Sequence, residues 1–138
     1  MVKSKQGETN IFNISNPEAY RCQILHYHNR LSRLYISVFK GQDRATPAIF
    51  YLLFSDVAYF ECPVTWQGAD FNIAPSDNCI QLMLDTGLVG EAILRFPNAY
   101  ASITDYANLY LAQTSLEKEI RIIASSANML RDLPSDIA

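Results

Sequence analysis

The sequence predicts a mainly β protein: a single-domain antiparallel sandwich or partly open barrel with one short helix, with an α+β fold carrying a C-terminal helix as the alternative. Three observations carry that reading. Short apolar runs recur along the chain and are separated by turn-forming stretches such as GQDRATP and PSDN. RLYISVFK, residues 33–40, alternates Leu34, Ile36 and Val38 with Arg33, Tyr35 and Ser37, the period-two pattern of a strand with one buried face. AIFYLLF, residues 48–54, is continuously aromatic or aliphatic, which suits a strand buried on both faces.

Taken in order, residues 1–9 read as a flexible tail ahead of one globular domain spanning 10–138. NIFNISNPEAY holds a short strand and a turn around Pro17. RCQILHYHNR, residues 21–30, supplies a strand that pairs antiparallel with residues 33–40 through a turn at Asn29–Ser32. GQDRATP, residues 41–47, is a loop. After the apolar run, Ser55–Asp56 bends the chain before VAYFE continues it. CPVTWQGAD turns the chain again, and FNIA and CIQLML are expected as short strands on either side of PSDN. EAILRF reads as another strand. PNAYASITDYANLY spaces Tyr100, Ile103, Ala107 and Tyr110 at helical intervals, which places the short helix at 98–108.

The last segment supports two readings. Thr114 and Glu117 form a capping-box pattern ahead of Leu116, Ile120, Ile123, Ala127 and Leu130, the stripe of a helix. LYLAQ and EIRII, joined by a polar turn at Ser115–Lys118, instead form a hairpin, and the β-branched residues of EIRII favour it. About eight short strands are expected in all.

At 138 residues the chain can bury a core without disulfide support. Its content, 49% hydrophobic and 18% charged, is that of a folded protein. Eight Tyr and seven Phe make aromatic packing prominent. The net charge of −3, without any Lys or Arg run, argues against nucleic-acid binding. Three cysteines are too few and too odd for a disulfide scaffold. MVKSKQGETN lacks the apolar segment of a signal peptide, and the longest apolar run is far short of the roughly 20 residues of a membrane span. A soluble cytoplasmic protein without a membrane segment is expected.

Candidate chemistry concentrates in residues 21–28. In a regular strand Cys22, Ile24, His26 and His28 share one face, and Gln23, Leu25 and Tyr27 the other. His26 and His28 then sit about 6.6 Å apart along the strand, close enough to converge on one metal ion. Further ligands would have to come from Cys62, Cys79 or carboxylates, since a zinc site takes three or four. No cofactor is otherwise indicated. Cys22 and His26 would be about 13 Å apart in a strand, too far for a nucleophile–base pair, which would require a helix here.

ECPVTWQGADFN, residues 61–72, offers Trp66 and Asp70 as candidate partner-binding residues, because Trp is enriched at interaction hot spots. The competing role for Trp66 is to close one end of the core. Glu61 and Asp70 also form a conceivable acid–base pair. Asp85-Thr86-Gly87 resembles the aspartic-protease triplet over those three residues alone, and such a site needs two aspartates and hence a homodimer. Gly87 and Gly90 fall short of a phosphate-cradling loop. The expected function is a non-enzymatic interaction or accessory protein that binds another protein or self-associates as a homodimer, with an inhibitor or immunity-type role among its forms. The alternative is a small-molecule- or metal-binding enzyme with its site near Cys22, His26 and His28.

Overall fold

The alternating segment at 33–40 forms the middle strand of a sheet in the computed structural model, which describes residues 7–41, 45–113 and 119–137. β1 (Tyr20–His28) and β2 (Arg33–Lys40) are the expected antiparallel hairpin, and β3 (Phe50–Ser55) pairs with the far side of β2. β4 (Tyr59–Glu61), β5 (Thr65–Gln67) and β6 (Asn72–Ile73) follow, then helix α1 (Ser76–Asp85) and helix α2 (Pro97–Tyr106). β7 (Asn108–Gln113), β8 (Glu119–Ala124) and β9 (Ser126–Leu130) complete nine strands among the described residues. They make two open antiparallel sheets, β5-β1-β2-β3-β9 and β4-β8-β7-β6. The fold is an open β-sandwich, as the sequence predicts, with two α-helices among the described residues where one short helix is expected; neither sheet closes into a barrel.

Alternation along the strands divides the interior into two layers. Between the sheets, Phe54 of β3 meets the rings of Phe12, Phe71 and Tyr110 at centroid distances of 6.4, 5.1 and 5.2 Å, all edge-on. Tyr110 and Ile122, opposite each other on β7 and β8, face this core. The next register pair, Leu109 and Ile123, faces the other way and packs under Cys79, Ile80 and Met83 of α1. β8 is thereby buried on both faces, which accounts for its run of isoleucines. β2 is buried on both faces too: Tyr35 and Ser37 are only 2% and 5% exposed, although alternation predicts a solvated face for them. Its place between β1 and β3 shields that side. β3 keeps Tyr51 and Leu53 half-exposed despite its continuously apolar sequence.

CIQLML is not a strand but the body of α1. Ser76, Cys79, Ile80 and Met83 are buried at positions i, i+3, i+4 and i+7, a helical stripe rather than a pleat. Asp85-Thr86-Gly87 ends that helix. The Gly87 N–H donates to the Leu84 carbonyl and the Leu88 N–H to the Met83 carbonyl, with Gly87 at φ 77°, which is a Schellman stop. EAILRF likewise forms no strand; Glu91–Arg95 is a 3-10 helix.

The hairpin reading of the C-terminal segment holds for β7 and β8, which pair from Asn108↔Ala124 to Gln113↔Glu119. Residues 126–130 join β3 as a further strand, so the alternative with a C-terminal helix is overturned there. Ser115–Lys118 and the Thr114–Glu117 capping pair lie outside the described residues, as do residues 1–6 of the expected tail. Glu8 at the end of that tail is paired: it exchanges hydrogen bonds with Ile73 in both directions, at 2.9 and 2.7 Å. Among the described residues no helix is long and apolar enough to cross a membrane.

Candidate functional site

A β-bulge decides the fate of the Cys-His constellation. The register of β1 against β2 shifts between Ile24 and His26, so Leu25 is an extra residue and the side-chain parity inverts after it. Cys22 and Ile24 pair with Val38 and Ile36 and face the core, while His26 and His28 pair with Tyr35 and Arg33 on the outer face. The predicted sharing of one face by Cys22, His26 and His28 is therefore corrected: the thiol and the imidazoles lie on opposite sides of the sheet. The two imidazoles do sit together, with centroids 5.9 Å apart and rings edge to face, and His28 Nδ1 accepts a hydrogen bond from the Leu31 N–H at 3.3 Å. Among the described residues no group of three or more His, Cys, Asp and Glu is placed to hold a metal ion.

Cys22 is fully buried and its Sγ donates to the Gly68 carbonyl at 3.6 Å. Burial pushes its pKa up to about 12, against a smaller opposing effect of Arg21, so the thiol stays protonated and is no nucleophile at neutral pH. The folded thiol keeps its proton to about pH 12, whereas an unfolded one loses it near 9.0. The stability this group contributes is thus complete below pH 9 and is lost as the pH rises toward 12. Above pH 9 stability is expected to fall by up to about 1.4 kcal/mol per pH unit from this group. Urea unfolding of native protein and Cys22→Ala across that window checks it; an equally steep alkaline loss in the variant would remove Cys22 as the cause.

The other sequence candidates are engaged in the scaffold. Trp66, opposite Cys22 on β5, is 5% exposed, and its Nε1–H donates to the Gly68 carbonyl at 2.9 Å, so it closes the core and offers no exposed anchor. Asp70 accepts three backbone N–H groups, from Phe12 and Phe71 on Oδ1 and from Ile14 on Oδ2, at 2.8–3.1 Å. Its carboxylate holds the segment leading into β1, through a stretch where Asn10, Asn13 and Asn16 take positive φ. Glu61 forms no pair with Asp70; it is bound to Arg121. Asp85 sits exposed at the end of a helix and accepts from Gln81 Nε2 at 2.8 Å, which gives it no protease-like setting.

The feature that sequence reasoning misses lies on the helix-facing side of β4, β7 and β8. α1 has ten residues, about 15 Å of helix. It roofs Leu109 and Ile123 and packs partly on Leu111, but leaves Arg121, and Glu61 opposite it on β4, open to solvent. The unroofed end opens into a cavity of about 510 Å³ between Glu61–Pro63 and Glu119–Arg121. A second cavity, of about 460 Å³, shares Glu119 and Arg121 as walls and has Leu82, Leu109 and Leu111 in its lining. A third, of about 650 Å³, shares Gln81 and Asp85 with the second and reaches Gly90–Arg95. The second cavity shares lining residues with each of the other two, so the three hollows are neighbours beside α1 and are together termed the trough.

Charge in the trough is strongly one-sided. Glu61, Asp77, Asp85, Glu91 and Glu119 line it, against Arg95 and Arg121. Arg121 is already neutralised: its Nη2 and Nε donate to Glu61 Oε1 at 2.8 and 3.2 Å, and the Tyr59 hydroxyl donates to Oε2 at 2.8 Å. The Arg121 guanidinium and then the Tyr59 hydroxyl hold the Glu61 carboxyl below the ordinary carboxylate range, and the same bond raises the Tyr59 hydroxyl. Burial, helped by Glu61, pushes the Cys62 thiol up to about 11, so it is protonated at neutral pH. These groups can hold positive charge and bury apolar surface; no nucleophile–base pair is among them.

No family model, curated protein or solved structure matches this chain. The trough went unseen in the sequence because its carboxylates come from β4, α1, the 3-10 helix and β8, with no spacing that links them.

Proposed function

We propose that this is a non-enzymatic interaction protein that docks another protein on the helical side of the sandwich. One observation carries the reading. Residues 86–96, between the two helices, include no buried residue, yet they carry Leu88, Val89, Ile93, Leu94 and Phe96. Leu94 and Phe96 are each 60% exposed, and Tyr106 at the end of α2 is 72% exposed. Val89 packs partly against the core under α1, but Leu94, Phe96 and Tyr106 are largely exposed; such side chains cost solubility and gain a role when a partner covers them. The partner is either a second copy, giving a homodimer, or a different protein, giving an inhibitor or immunity-type role. Cys22 and Cys62 stand as thiols outside any disulfide, which suits a reducing compartment such as the cytoplasm.

A photo-crosslinking residue at position 96, combined with sedimentation velocity over a wide concentration range, tests this. A discrete adduct is expected, with itself or with one other protein. It should be lost in a Leu94→Ser variant that melts like the native protein, since Leu94 is outside the core. A protein that stays monomeric and forms no adduct beyond that of a control position such as Asn128 overturns the proposal.

A further inference from the structure

Resting on that reading, we propose that the partner is a second copy of this chain, seated across a two-fold axis that passes the middle of the 3-10 helix Glu91–Arg95. Each copy places its Phe96 ring in the other copy's third cavity and sets its Arg95 against the other copy's Glu91.

The segment that carries this surface is thinly attached to its own fold. From residue 86 to residue 106 Thr104 alone is buried, and α2 meets the core through half-buried Tyr100 and Ile103. Apolar surface left uncovered over such a length is the mark of an association site.

Two features of the segment match each other when it is turned by 180°. The first is a ring beside a hollow. The third cavity, about 650 Å³, lies between the end of α1 and the 3-10 helix, with Leu84, Val89 and Leu94 as its apolar lining. Phe96 follows directly after that helix and is 60% exposed. A contact across a two-fold uses the same patch on both copies, so the patch has to carry both the inserting group and the place that receives it. Gly90 stands in the cavity wall, and a Cβ there would meet nothing within 4 Å, so the hollow has room at that point.

The second feature is charge. Glu91 opens the 3-10 helix and Arg95 closes it, about 8 Å apart at ~2.0 Å per residue. Both are exposed, and among the described residues neither forms an ion pair. Asp105 is the only other charged residue between positions 86 and 106. Two such helices laid antiparallel bring acid to base at both ends. The strip therefore attracts its own copy although each chain carries a net charge of −3, and it offers no one-sided field to a strongly charged partner of another kind.

Sedimentation equilibrium of the whole chain, with the position-96 crosslink, tests this. The native protein is expected to form a reversible dimer and an adduct of two chains. Glu91→Arg and Arg95→Glu each set like charges together at both ends of the contact, and each should weaken dimerisation by about tenfold or more. Mixing the two single variants, or combining both changes in one chain, should restore it, because opposite charges meet again. Gly90→Leu fills the hollow without touching its own chain and should weaken the dimer by about tenfold or more, with the circular dichroism of the folded protein retained. A dimer that ignores Gly90→Leu, charge variants that do not rescue each other, or a dimer without a position-96 adduct of two chains overturns the inference. If the native protein stays monomeric and position 96 crosslinks one other protein, the interaction function stands and the second copy falls. If it stays monomeric and forms no adduct, it is the function that falls.

Discussion

Phe54→Ala is expected to lower the unfolding free energy by about 3–5 kcal/mol. Phe54 has no exposed surface and its ring is the meeting point of Phe12 from the N-terminal segment, Phe71 ahead of β6, and Tyr110 of β7. Truncation removes the transfer energy of the ring and leaves a cavity walled by three aromatic edges that belong to different elements. Phe12 and Phe71 are tied together through Asp70 while Tyr110 is fixed in the β7–β8 pair, so the walls cannot close the gap freely, which puts the cost in the upper part of the usual range. Edge-on aromatic pairs add about 0.5–1.5 kcal/mol each beyond area, and all three are lost at once. Phe54→Leu keeps much of the volume and should cost less than half as much. Urea denaturation of the three proteins decides it; a loss below about 1 kcal/mol for the alanine variant would show that the core relaxes around the site.

Asp70→Ala is expected to cost about 2–4 kcal/mol, because three backbone N–H groups lose a charged acceptor in one step. Phe12, Ile14 and Phe71 are the donors, so the loss falls on the segment that carries Phe12 and Ile14 against the core. Asp70→Asn leaves one carbonyl oxygen and turns an N–H toward the remaining donor, so its cost should be intermediate. Amide hydrogen exchange gives the local reading: protection of Phe12 and Ile14 should drop in the variants while that of β2 is retained until global unfolding. A stable Asp70→Ala protein that fails to form its partner adduct would instead return Asp70 to the role of a binding group.

How much of this was legible depends on the distance over which each property is decided. The pairs β1–β2 and β7–β8 were readable because alternation and turn residues are local and the partner strand is the next one along. The bend at Ser55–Asp56 was readable for the same reason; Asp56 takes φ 52° there. α1 was legible in principle. Ser76, Cys79, Ile80 and Met83 have helical spacing and Gly87 is a helix stop, but six apolar-rich letters read equally well as a strand when those two signals are not combined. The candidate residues fared less well. Trp66 and Asp70 stand out in the sequence for their chemistry, yet both are held by backbone groups that no sequence pattern reveals.

What the sequence by itself determined is the mainly β character, the two hairpins and the helix before β7, since each follows from the rotation of side chains about a short piece of backbone. The tertiary structure alone decided which faces those side chains see. One bulged residue at Leu25 turned His26 and His28 outward while Cys22 stayed in the core. Position within a sheet buried the polar-patterned side of β2. The trough exists because a ten-residue helix covers one end of a sheet and not the other, and its charge is a sum over elements far apart in the chain. Such a sum has no period, so no window of sequence contains it.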